Sequence, residues 1–225
     1  MSNHAANSAD PQPDPSTVAP EPPATGLGAG NPDQVRPGAA EDRERLRRLI
    51  RDLAVVRGHV VLSSGQEADH YVDLRRITLH HEAAPLVGRV MLDLLRREGI
   101  VPGIEAVGGL TLGADPVGTA IMHAAAADPD RTGPIDAFVV RKATKEHGLQ
   151  RRIEGPDVAG RRVVAVEDTS TTGGSVLTAC SALADAGAEI AAVAVIVHRS
   201  EDSRRAVEQA GYRYLAAYDI SELEI

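Results

Sequence analysis

The stretch Val163–Ser175, Val-Val-Ala-Val-Glu-Asp-Thr-Ser-Thr-Thr-Gly-Gly-Ser, constrains this chain more than any other. Val163 to Val166 is an unbroken aliphatic run that suits a strand buried on both faces, as in the middle of a parallel sheet. The run ends in two adjacent carboxylates, Glu167 and Asp168. Thr169, Ser170, Thr171, Thr172, Gly173, Gly174 and Ser175 follow, and a helical spacing opens at Ser175 with Val176, Leu177, Cys180, Leu183 and Ala184. Ligands of open α/β sheets bind beyond the carboxyl ends of strands. At such a turn the glycines admit an anion close to the backbone, the next helix aims N–H groups at it, and hydroxyls add donors. That is a phosphate cradle.

The acid pair makes the cradle unusual, because two carboxylates repel a bare phosphate. Ribose hydroxyls and a hydrated Mg²⁺ are partners that want oxygen acceptors. The stretch holds no Gly-Lys-Ser/Thr and no Gly-x-Gly-x-x-Gly, so it is neither a Walker A loop nor a dinucleotide fingerprint.

The chain has 225 residues, and residues 1–40 differ from the rest. They hold eight of its fourteen prolines and no apolar periodicity, so a disordered Pro/Ala/Gly-rich tail is expected there. Neither a signal peptide nor a transit peptide is expected, since Arg36 is the single Lys or Arg in that stretch. Residues 41–225 fit one α/β domain. Its expected parts are a hood over about 41–80 and a core over about 81–225. No run is long enough to span a membrane. One cysteine, Cys180, on an apolar helix face, fits a reducing cytoplasm as a buried spectator. A net charge of −8, from 24 basic and 32 acidic residues, argues against nonspecific binding to nucleic acid or a lipid surface.

Spacing predicts a helix from Glu41 to Arg57, with Leu46, Leu49, Ile50, Leu53 and Val56 on one face. Two strand-like pieces, His59–Leu62 and Tyr71–Leu74, predict a small β hood, and a second helix spans Glu82–Glu98. Strands are then expected at Ile104–Val107, Ile135–Val140, Arg162–Val166, Ile190–Val197 and Arg213–Tyr218. A helix opening near Pro116 and another over Asp202–Ala210 alternate with them. Such alternation predicts an α/β fold with a central, mainly parallel sheet flanked by helices. His80 and His81 are expected to face apart, and a metal role for them is not favoured. His123 reads as packing or surface, and Asp73 with Arg75 as an ion pair ordering the hood. His198 reads equally as structural or as approaching the site, because it adjoins Arg199.

Between two strands lies Arg141–Arg152, Arg-Lys-Ala-Thr-Lys-Glu-His-Gly-Leu-Gln-Arg-Arg, with no apolar stripe. In an acidic protein, a basic loop beside a phosphate cradle reads as a lid for a polyanion. A substrate with phosphate at one end and pyrophosphate at the other satisfies lid, acid pair and cradle together. Displacing pyrophosphate from the anomeric carbon of a ribose develops positive charge on the sugar and negative charge on the leaving group. Carboxylates suit the first; Lys, His and Mg²⁺ suit the second.

Val163–Ser175 resembles the phosphoribosyl pyrophosphate motif of type I phosphoribosyltransferases, and residues 41–225 resemble orotate phosphoribosyltransferases. The resemblance implies the type I fold with its hood. It also implies transfer of a phosphoribosyl group from 5-phosphoribosyl 1-pyrophosphate to orotate, giving orotidine 5′-phosphate and pyrophosphate in pyrimidine nucleotide synthesis. By the same resemblance, Tyr71 and Val72 lie against the orotate ring. Arg141, Lys142, Lys145, His147 and Gly148 match the catalytic loop, with Lys142 reaching the neighbouring subunit's site in a homodimer with shared active sites. Glu167 to Ser175 bind the donor, Thr171 also lies near orotate, and Arg199 grips the base. Lys145, His147, Glu167 and Asp168 carry the catalytic roles. Mg²⁺ is held through the donor's pyrophosphate and water rather than by the protein directly. Two lysines common in the family are missing: Ser63 stands before the hood's Ser64-Gly65, and Gly109–Asp115 contains none. The loop cations are thereby left with more of the pyrophosphate charge. A purine-base phosphoribosyltransferase and a donor-binding regulator without turnover are the alternatives. The carboxylate-gripping Arg199 argues against the first, and Lys145 with His147 against the second.

Overall fold

The computed structural model describes residues 36–61, 67–128, 132–142 and 152–225. Its centre is a six-stranded sheet built from β3 (Ala106–Leu110), β4 (Asp136–Val140), β5 (Ile153–Glu154), β6 (Arg162–Ser170), β7 (Glu189–His198) and β8 (Tyr214–Asp219). The order across the sheet is β5-β4-β3-β6-β7-β8. All neighbours are parallel except β5, a two-residue edge strand antiparallel to β4 that the sequence reading did not anticipate. Strand order reverses between β3 and β6, so their carboxyl ends flank the crevice where such sheets bind ligands.

Helices cover both faces. Residues of α1 (Ala39–Leu49), α3 (Ala83–Arg97) and α4 (Ala114–Ala126) pack in one cluster with Val107, Val164, Val166, Ala194 and Ile196. On the other face α5 (Gly174–Asp185) and α6 (Glu201–Gln209) pack against Phe138, Val163, Ala165, Val193 and Val195. Successive residues of Val163–Val166 therefore feed opposite cores, which is why that run carries no polar alternation. A second sheet is the hairpin of β1 (Val55–Val61) and β2 (Glu67–Val72), followed by the short α2 (Arg75–Thr78).

Several expected boundaries move. The first helix does not reach Arg57: α1 gives way to a π turn at Ile50–Ala54, and the chain becomes β1 at Val55. Val55 and Val56 pair with Val72 and Tyr71, so cross-strand partners and β-branching outweigh helical spacing. The strand expected to end at Val107 runs on through Gly108 and Gly109 within β3, where a Cβ would fall 2.0 Å from the Phe138 carbonyl oxygen and 2.1 Å from that of Val166, respectively. Glycine here permits close strand packing rather than a turn. β6 likewise runs on through the acid pair to Ser170, because pairing with β7 continues to Ser170 opposite His198. The folded unit starts earlier than residue 41, since α1 begins at Ala39 and Arg36 pairs with Asp42 and Asp93. Residues 1–35 of the expected tail lie outside the described residues.

The last strand is tied to the first helix. The Tyr218 hydroxyl donates to the Arg43 carbonyl at 2.7 Å, and Arg43 reaches Glu222 at 2.7 Å.

The α3–α4 crossing gives a test of sign. Gly→Ala inside a helix ordinarily stabilises. A Cβ on Gly88, however, would lie 2.1 Å from the Ala120 carbonyl oxygen, a backbone atom that cannot swing aside. Gly88→Ala is expected to destabilise by about 1–3 kcal/mol, read as a lower urea midpoint.

Candidate active site

β6 delivers Glu167 and Asp168 to the crevice on consecutive positions. Glu167 is 6% exposed. Both carboxyls face Gly113 at the end of the loop after β3, where a Cβ would sit 2.5 Å from Glu167 Oε1 and 3.0 Å from Asp168 Oδ1. Only glycine leaves room there. The Thr169 N–H donates to Asp168 Oδ1 at 2.6 Å. Burial, then the neighbouring Asp168 charge, pushes the Glu167 carboxyl up to about 8. Burial also raises Asp168, against the opposing pull of the Thr169 N–H, Glu167 and Arg75. Lys142, exposed just past β4, acts on Glu167 in the lowering direction. Burial and the adjacent carboxyl thus favour a protonated Glu167 near neutral pH.

Beyond the acids the chain turns through Thr171 and Thr172, both exposed, into α5. Gly173 precedes that helix at φ 78°, a left-handed conformation that favours glycine. Thr172 Oγ1 accepts from the Gly174 N–H at 3.4 Å, and Ser175 lies exposed in the first turn. The first-turn N–H groups of α5, the hydroxyls of Thr171, Thr172 and Ser175 and the positive end of the helix dipole meet here.

Opposite stands the hood. The Arg199 guanidinium, one residue past β7, lies 5.9 Å from the Tyr71 ring centroid. Two residues 128 positions apart are thereby brought together. Asp73 and Arg75 pair at 2.8 Å, as expected, and Arg75 also acts on Asp168. That second link had no sequence signal beyond the Asp-x-Arg spacing.

Four residues are placed differently from the reading. Val72 is 2% exposed and turns its side chain into the main core, because strand neighbours alternate and Tyr71 takes the open side. Ser170 is buried, and its hydroxyl accepts from Ser203 behind the loop rather than facing the crevice. His80 and His81 do not face apart: a turn brings their rings to 4.5 Å between centroids. Arg141 follows β4, its N–H bonded to the Arg152 carbonyl at 2.8 Å and its side chain 3.4 Å from Glu154. Lys145, His147, Gly148, Ser63, Ser64 and Gly65 lie outside the described residues. His123 is exposed, and Cys180 is buried with its thiol pushed up to about 12 by burial. Among the described residues no three His, Cys, Asp or Glu side chains are grouped to hold a metal ion.

The acid pair makes stability depend on pH with a defined sign. Glu167 gives up its proton near 4.5 in the unfolded chain but only at about 8 when folded. Between those values the folded protein binds more protons, so its stability is fully present below about 4.5 and is lost as pH rises through about 8. Glu167→Gln is expected to flatten this loss in the ligand-free protein. Its stability advantage over the wild type grows with pH across the window, by at most about 1.4 kcal/mol per pH unit, in urea titrations at pH 5, 6.5 and 8.

Comparison with known proteins agrees with this geometry. A family model described as the phosphoribosyl transferase domain matches residues 113–214, from the glycine beside the acid pair to β8. The orotate phosphoribosyltransferase of Streptomyces avermitilis is 59% identical over 182 residues, which make up 80% of this chain and 96% of that protein. The crystal structure of Mycobacterium tuberculosis H37Rv orotate phosphoribosyltransferase in complex with Fe(III) dicitrate matches with a TM-score of 0.72 at 53% identity. It covers 82% of this chain and 99% of that one. The same enzyme in complex with 5-phospho-α-D-ribosyl 1-diphosphate matches with a TM-score of 0.68 at 49% identity and equal coverage. On this identity and coverage, the chain belongs to the orotate phosphoribosyltransferase family and has the type I phosphoribosyltransferase fold.

Proposed function

We propose that this protein transfers the phosphoribosyl group of 5-phosphoribosyl 1-pyrophosphate to orotate, releasing pyrophosphate and forming orotidine 5′-phosphate in pyrimidine nucleotide synthesis. The observation that carries the reading is the placement of Arg199 against Tyr71, with Arg75, just past the same hairpin, acting on Asp168 of the acid pair. A planar guanidinium fork suits the carboxylate and carbonyl oxygens of orotate, and an aromatic ring beside it suits a flat base. A neutral purine offers no carboxylate to that fork.

The residues divide the work by charge. Thr171, Thr172, Gly174 and Ser175 hold the 5′-phosphate at the head of α5 with hydroxyl and N–H donors. Gly173 shapes the turn. Glu167 and Asp168 accept hydrogen bonds from the ribose hydroxyls and, once ionised, favour the positive charge that grows on the sugar as the bond to pyrophosphate breaks. Thr169 orients Asp168 through its N–H. Arg141, Lys142, Lys145 and His147 offset the charge on departing pyrophosphate and exclude water from the activated sugar. Orotate's own ring nitrogen is the nucleophile, so the protein need supply none. Mg²⁺ suits this donor set, since adjacent carboxylate oxygens are what a hard, hydrated cation takes. Glu167 and Asp168 would hold the ion only through water and the donor's pyrophosphate, and it would supply further neutralisation of that leaving group. With Gly109–Asp115 free of lysine, backbone N–H groups around Leu112 and Gly113 take a share of the pyrophosphate.

The working unit we propose is a homodimer in the cytoplasm, its catalytic domain running from Arg36. A groove of ≈ 1030 Å³ lies beside α3 and α4, lined by Leu79, Pro85, Leu112, Pro116 and Ala120 among others. Leu79 and Leu112 are 74% and 71% exposed, apolar area that a second copy would cover. The buried, unpaired Cys180 supports a reducing compartment, and no described helix is long and apolar enough to cross a membrane.

Mg²⁺-dependent loss of orotate absorbance with the donor, and none with adenine, hypoxanthine or uracil, is the expected outcome of a direct assay. Turnover of a purine instead would overturn the base assignment. Arg199→Lys keeps the charge and loses the fork, so KM for orotate should rise about ten- to a hundredfold. Lys145→Ala should lower kcat about 10²-fold or more, and an unchanged kcat would remove the loop from the mechanism. Sharing of sites has its own check. Mixing inactive Lys142→Ala with inactive Asp168→Asn chains should restore activity, because each hybrid dimer contains one intact site; no recovery argues that each site is built from one chain.

A further inference from the structure

His198 ends β7 and is 3% exposed, yet it is a polar ring in a buried place. Both nitrogens are engaged. Nδ1 lies 3.1 Å from the Tyr214 hydroxyl on β8, and Nε2 lies 3.0 Å from Glu201 Oε1 in the first turn of α6, with Asp219 Oδ2 at 4.0 Å. An apolar side chain could fill the same volume without polar atoms to satisfy. What the imidazole adds is direction, because two bonds at opposite edges of a ring fix its rotation about the strand end.

That rotation matters to the next residue. Successive strand side chains leave on opposite sides, so pinning His198 sets the side from which Arg199 departs toward Tyr71. The Arg199 N–H donates to the Ser170 carbonyl at 3.3 Å, joining it to the end of β6. The helix that supplies Glu201 also supplies Ser203, 0% exposed, whose hydroxyl bonds Ser170 Oγ at 2.5 Å. One turn on, α6 lies against the phosphate loop: a Cβ on Gly173 would meet the Ser203 carbonyl at 3.3 Å and Ala206 Cβ at 3.5 Å. The base-gripping arginine and the phosphate loop are therefore braced by the same short segment, 198–206.

We infer that His198 is a positioning residue: by bridging Tyr214 and Glu201 it holds α6 against the phosphate loop and aims Arg199 at the base. The inference rests on the orotate reading above. It differs from a merely structural role in predicting a change in substrate KM that does not track stability.

The test is steady-state kinetics on the full-length protein, with KM for orotate, KM for donor and kcat measured beside a thermal melt. His198→Ala should raise KM for orotate about tenfold, the scale of one lost directional hydrogen bond, with a smaller rise in KM for donor. Tyr214→Phe and Glu201→Met, which each remove the polar atom that faces the imidazole and keep most of the side chain's shape, should move orotate KM the same way. The double variant His198→Ala/Tyr214→Phe should be no worse than His198→Ala alone, because the two act through one contact. His198→Asn, whose amide reaches the place of Nδ1, should recover part of the loss. Orotate KM within about twofold of wild type in the folded variants would overturn the inference, whatever happens to the melting temperature. Should His198→Ala fail to fold, Tyr214→Phe and Glu201→Met decide by the same criterion. A wild-type protein that does not consume orotate would instead sink the orotate reading, and this inference with it.

Discussion

Two adjacent carboxylates at the buried end of a central strand set the terms for the rest of the molecule. Removing charge from water is costly, and two like charges on neighbouring residues are costlier, so Glu167 holds its proton well above the usual carboxylate range. A fold keeps such a pair only where a ligand offsets the cost. The strand order supplies the place: β3 and β6 diverge at their carboxyl ends, and the crevice between them is lined by a glycine loop on one side and the acids on the other. Gly108, Gly109 and Gly113 are three consequences of that one crowded junction, two allowing strands to close up and one leaving space for carboxyl oxygens.

The sheet then acts as a rigid frame from which separate functional pieces hang. β6 carries the acids and the phosphate loop, β7 carries Arg199, β4 ends at Arg141 and Lys142, and the hairpin brings Tyr71 across. None of these pieces is near another in sequence except within the acid–phosphate stretch. Parallel strands put all their carboxyl ends on one side, so a single edge gathers groups of opposite charge without strain on any one loop. The acidic and basic groups share that edge, and α6 braces the junction from behind through Ser203 and Glu201.

Local pattern carried much of this, and particular residues show where it stopped. The alternation of strand and helix, the apolar face of α3 and the run Val163–Val166 were legible because each is set by repetition along the chain. The strand–turn–helix of residues 163–185 was legible because its aliphatic run, acids, hydroxyls and glycines are contiguous. Val55 and Val56 were misread because helical spacing continued into them while their strand partners lay more than ten residues away. Gly108 and Gly109 were misread because glycine marks both loops and tight packing, and the difference depends on Phe138 and Val166.

By itself, then, the sequence determined the α/β class, the sheet's alternating order of elements and the chemistry of one contiguous loop, since those follow from periodicity and composition. Only the tertiary structure decided which members of that loop face the crevice. It turned Val72 inward, bonded Ser170 to Ser203, set Gly113 against the carboxyls and drew Arg199 to Tyr71. The physical reason is that side-chain direction at a strand end depends on pairing register and on what packs behind it. Both are fixed by residues distant in the chain and adjacent in space.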